Sequence, residues 1–137
     1  MARDLTEFNL LYTQATEMAK AFPESQFKTI ASILVIIGWL VTASTAQQFI
    51  HANAAAAIPA TIFAFSTFVL FKALWIRLHF KRCQALYAQL LRLVESQELS
   101  PTVIETLKPH PLIPLTFFAV NLIVCSAAVV VVWLVAR

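Results

Sequence analysis

Residues Leu112 to Ala136 run for 25 positions, LIPLTFFAVNLIVCSAAVVVVWLVA, without a charge. About 20 apolar residues in a helix are enough to cross a hydrocarbon core of ~30 Å. A water-soluble core built from 137 residues cannot cover every side of such a helix, so the run points to lipid as the solvent. The composition agrees: 60% of residues are hydrophobic, 12% are charged and one is glycine, which marks a membrane chain. No linker divides it, so residues 1–137 read as a single membrane domain. A net charge of +3 raises the question of nucleic acid. The basic residues stand beside the apolar spans, where topology places them, and no nucleic-acid partner is expected.

The expected fold is an all-α integral membrane protein with three transmembrane helices. An amphipathic N-terminal helix and a long cytoplasmic extension of the second transmembrane helix complete it. Residues 4–22 carry Phe8, Leu11, Ala15, Met18 and Phe22 at steps of three and four, one apolar stripe on a helix. Asp4 and Glu7 resemble a capping box, and Pro23 ends or bends the helix. A signal peptide is a poor reading, because this segment is rich in acids and the apolar core after it is long.

The first span is expected over 27–46. Gly38, Thr42 and Ala46 lie four apart on it, a strip of small residues that lets another helix approach. Gln47 to Asn53 reads as a polar connection. The second span, 54–74, tolerates Pro59 in its first turns and has its own small face at Ala57, Ala60 and Ala64. No Gly or Pro occurs between Ala60 and Ser100, so this helix is expected to run on through 75–98. Phe80, Cys83, Tyr87, Leu90, Val94 and Gln97 form a seam at steps of three and four on the extension. The extension is about as long as the N-terminal helix, and the two stripes are expected to pack antiparallel. A short helix over 101–107, with Ser100 as cap, then leads through a Pro-rich return to the third span, 112–136.

Orientation follows from the Lys and Arg count. Residues 1–28 hold three and the long second connection holds six. The first connection holds none, and the far end has only Arg137. Positive charge stays inside, so the N-terminus and the long connection are expected in the cytoplasm and the C-terminus outside. A bacterial inner (plasma) membrane is the expected location.

Asn121 is the strongly polar side chain within a span, and it shares a face with Cys125 and Ala128. An intramembrane amide usually holds helices together, worth about 0.6–2 kcal/mol. The expected packing residues are Gly38, Thr42, Ala46, Ala60, Ala64, Asn121, Cys125 and Ala128. Lys72, Trp75, Arg77, Lys81 and Arg82 are expected as a collar against lipid headgroups, anionic ones in particular. His51, His79 and His110 lie in different connections without metal-ligand spacing, and Cys83 and Cys125 lie at different depths. No nucleophile has a base at helical spacing, so no catalytic site, metal or cofactor is expected.

The expected function is non-enzymatic: a small membrane protein acting in an assembly. It would be a homo-oligomer or an accessory subunit of a membrane complex, with the cytoplasmic helices as a docking or regulatory layer. The alternative is a pore-forming or permeability-altering effector, or an immunity protein against one. A small-solute transporter is disfavoured by the low span count and the lack of intramembrane charge.

Overall fold

The computed structural model describes residues 2–96 and 100–137, with side chains from Leu5 onward. It is helical throughout, and no strand occurs among the described residues. Helix α1 spans Ala2–Thr42, α2 spans Ser44–Ala52, α3 spans Ala54–Ser96, and α4 spans Leu112–Ala136. A 3₁₀ turn, Pro101–Leu107, stands between α3 and α4. Three segments, within α1, within α3 and from the 3₁₀ turn through α4, are long and apolar enough to cross a membrane.

The main departure from expectation is α1. The chain does not break at Pro23 but continues as a single helix of 41 residues. Proline removes one N–H and so frees the carbonyl four residues back, that of Ala19. The helix continues because the same face stays buried on both sides: Ala15, Phe22, Gln26 and Ile33 follow at steps of seven, four and seven. The turn-by-turn burial outweighs one lost hydrogen bond.

The first span ends differently too. The Thr42 hydroxyl donates to the Gly38 carbonyl at 2.8 Å, a back-bond that bends helices. Ala43 then takes an extended conformation, and α2 follows. The break frees the Val41 carbonyl, which accepts from the Gln47 side-chain amide. The expected polar connection 47–53 is therefore mostly helical. Asn53 alone joins α2 to α3, with its side chain and its N–H both bonded to the Phe49 carbonyl.

Helix α3 is continuous over 43 residues, or about 64 Å. Gln97, expected at the end of its seam, and Glu98, expected as the last residue of the extension, lie outside the described residues. The short segment after it is a 3₁₀ turn, and the Ser100 hydroxyl pairs with Thr102 rather than capping a backbone N–H.

Two apolar clusters hold the bundle. In the uncharged part, Ile33 of α1, Val69 of α3, and Cys125 and Ala128 of α4 meet, flanked by Phe65, Phe68 and Phe118. At the charged end, Ala15 of α1 packs with Leu90 and Val94 of α3 and Ile104 of the 3₁₀ turn. Phe8, Leu11, Leu86 and Tyr87 close around them, so the two stripes meet. Leu90, Val94 and Ile104 are fully buried there, each worth about 1.5–3 kcal/mol of apolar transfer. The outside of the uncharged part is itself apolar: Leu34, Val35, Ile36, Phe63, Leu70, Phe71 and Ile123 are all exposed. A surface of this kind is stable against hydrocarbon and not against water.

Candidate functional site: a polar and aromatic layer between the clusters

A layer of polar and aromatic side chains separates the two clusters. Gln26 of α1 and Asn121 of α4 are both fully buried. The Asn121 amide N–H donates to Gln26 Oε1 at 3.0 Å and to the Phe117 carbonyl at 2.7 Å. Gln26 Nε2 and Asn121 Oδ1 make no hydrogen bond among the described residues. A bond in a low-dielectric interior is strong, and its loss leaves an amide with no water to turn to.

Helix α3 joins the layer through Lys72. Its ammonium donates to the Thr29 hydroxyl of α1 at 2.8 Å. It also lies 5.2 Å from the Trp75 ring centre and 5.8 Å from that of Phe68, within cation–π range. Toward the charged end, one ring ties all three long helices. Phe22 stacks on Trp75 at 5.7 Å and on His79 at 4.9 Å, and meets Phe117 edge-on at 5.1 Å. His79 Nε2 lies 3.3 Å from the Met18 carbonyl, a partner that can only accept, so this nitrogen carries the proton.

Beside this layer is a cavity of about 360 Å³. Its lining includes Phe22, His79, Lys108, His110, Ile113 and Phe117. Cys83 also reaches it and is half-buried with a free thiol. Burial pushes the Cys83 thiol up from the ordinary cysteine value. On the surface of α1, Lys28 pairs with Glu24 at 2.7 Å, and the bond and charge of Lys28 hold the Glu24 carboxyl below its usual range.

The residues singled out from sequence separate into two sets. Asn121, Cys125, Ala128 and Ala46 are buried within the protomer. Gly38, Thr42, Ala60 and Ala64 are exposed, and a Cβ added at Gly38 would meet nothing within 4 Å. The α3 alanines and Ala46 line an open apolar groove of about 630 Å³ with Trp39, Phe49 and Ile50. Of the collar residues, Arg77, Lys81 and Arg82 are exposed, whereas Lys72 and Trp75 are half-buried and turned into the layer.

Gln26 is the residue that sequence reasoning misses. Its signal was present: it stands four positions after Phe22, on the stripe that begins at Phe8. Treating Pro23 as a boundary hid it. No protein-family model matches the chain, and no curated protein or solved structure shows significant similarity to it.

Proposed function

We propose that this chain is a small non-enzymatic integral membrane protein that works in an assembly, as a homo-oligomer or as an accessory subunit. The observation that carries the reading is the two outward small-residue faces, one on α1 and one on α3. Gly38, Thr42, Ala60 and Ala64 are the small residues that let helices approach closely, and they are left uncovered by the protomer's own helices. In lipid, association comes from close packing and not from apolar transfer, so a small-residue surface is where contact is gained.

In this reading the buried amide pair fixes the protomer, and the small faces meet another chain. The end that carries Arg77, Lys81 and Arg82 faces the cytoplasm of a bacterial inner membrane and touches anionic headgroups. The cluster of Ala15, Leu90, Val94 and Ile104 then forms a helical layer for docking or regulation. The test is the oligomeric state in mild detergent, by native mass spectrometry, of wild type and of Gly38→Leu/Ala60→Leu. Loss of a defined complex in the variant supports the reading. A wild type that is only monomeric and recovers no partner from native membranes refutes it.

A further inference from the structure

Where α1, α3 and the Pro-rich return come together, they leave a cavity with a divided lining. Phe22 is buried and Phe117 half-buried, and Ile113 lies in the first turn of the long apolar helix. Lys108 and His110 are exposed at the other side of the same cavity. The hydrogen bonds decide which polar atoms are available. His79 is committed to the Met18 carbonyl. The Leu112 N–H donates to His110 Nδ1 at 3.3 Å, which leaves Nε2–H as the donor of that ring. Lys108 and His110, with the Thr106 hydroxyl beside them, are therefore the donors that a ligand meets.

No carboxylate is among the described residues that line the cavity. Glu24, the acid next to Pro23 in the chain, is paired with Lys28. Such a cavity is complementary to an anion that also carries hydrocarbon. Its size, 360 Å³, is room for roughly a dozen groups as large as a water molecule. That fits a phosphate-bearing head and its first methylenes. Its level along the bundle agrees, since Lys108 and His110 directly precede the 25-residue apolar helix. Longer chains can leave along the exposed apolar face of Leu112 and Leu115.

We propose that this cavity binds the anionic head of one membrane phospholipid, with Lys108 and His110 as its donors. The inference rests on the membrane reading and adds to it a single, saturable site distinct from the exposed collar. A free phosphate shares the chemistry of the head but gains nothing from Phe22, Ile113 and Phe117.

The test uses the full-length protein in phosphatidylcholine nanodiscs, with palmitoyl-oleoyl phosphatidylglycerol titrated in and bound lipid counted by native mass spectrometry. Wild type is expected to retain one phosphatidylglycerol per protomer, saturably. Lys108→Gln/His110→Gln weakens retention about fivefold or more, and Ala19→Phe, which fills the cavity without changing charge, weakens it as well. Arg77→Gln/Lys81→Gln/Arg82→Gln, which weakens the diffuse attraction of the surface, lowers it less than either cavity variant does. The proposal is overturned if the collar variant loses as much as the cavity variants, or if inorganic phosphate displaces the lipid. It is also overturned if no saturable preference over phosphatidylcholine exists while the protein resists carbonate extraction. Release by carbonate refutes the membrane reading itself.

Discussion

Asn121 donates to the side-chain carbonyl of Gln26 at 3.0 Å, across 95 positions of chain and with both residues sealed from solvent. The contact joins the first and last long helices at a single point. Asn121, read from sequence as an amide that holds helices together, is used here within its own chain.

Removing Asn121 leaves the Gln26 amide buried without that partner, and removing Gln26 leaves Asn121 with the Phe117 carbonyl alone. Asn121→Leu and Gln26→Leu are each expected to destabilise the protein by about 1–2 kcal/mol. Gln26→Leu/Asn121→Leu should lie closer to wild type than the sum of the two, because neither amide is then stranded. Thermal unfolding in detergent, read as a double-mutant cycle, measures the coupling. Strict additivity would show that the two side chains do not interact.

Phe22 is the side chain through which three helices touch. Phe22→Ala removes one stack on Trp75, one on His79 and an edge contact with Phe117, at a cost of about 3–5 kcal/mol. In a background of Trp39→Phe/Trp133→Phe, the emission of Trp75 should shift to the red as water reaches the indole. Phe22→Leu keeps more of the buried apolar volume than Ala, though not the stacks, and should recover part of the loss.

The charged-end cluster depends on two leucine-sized side chains from different elements. Leu90→Ala and Ile104→Ala are each expected to cost about 2–5 kcal/mol. Ile104→Ala should release the 3₁₀ turn first, seen as faster proteolysis of residues 100–111 with membrane insertion retained. Equal protection in wild type and variant would mean that Ile104 does not hold the turn.

Burial raises the Cys83 thiol, because the thiolate is the form that loses hydration. Its alkylation by N-ethylmaleimide should therefore inflect at a pH above that of an unburied cysteine, about 8.5. The sign for stability follows. The folded thiol stays neutral while the unfolded one ionises, so this contribution is complete below the ordinary thiol value and is lost as pH rises past it. Denaturation by detergent should bring the inflection down to the ordinary position.

Much of the architecture was legible because single residues carry strong local rules. The uncharged run fixes α4 at Leu112 and Ala136, both as expected. The lack of Gly and Pro after Ala60 predicts one long α3, and it is one helix as far as Ser96. What was not legible depended on contacts between distant segments. Proline is a breaker in isolation, yet at position 23 the buried face on both sides carries the helix through. Ser100 and Thr102 satisfy each other's hydroxyls, so the cap expected of Ser100 does not form. The small-residue strip was readable as a strip, but not which way it faces. Only the packed bundle turns Gly38, Ala60 and Ala64 outward and Ala128 inward.

The length and continuity of α3 have a mechanical consequence. From Lys72 to Ser96 the helix runs on for about 36 Å with no proline or glycine to act as a joint. A long body that tilts as a whole turns a small rotation into a large displacement far from its pivot. Spans adjust to bilayer thickness by tilting, and a change of about 10° sweeps the far tip through about 6 Å. The distal cluster rides on that tip. In a bilayer, a tilt of the bundle would be felt most at Leu90 and Val94, far from the spans.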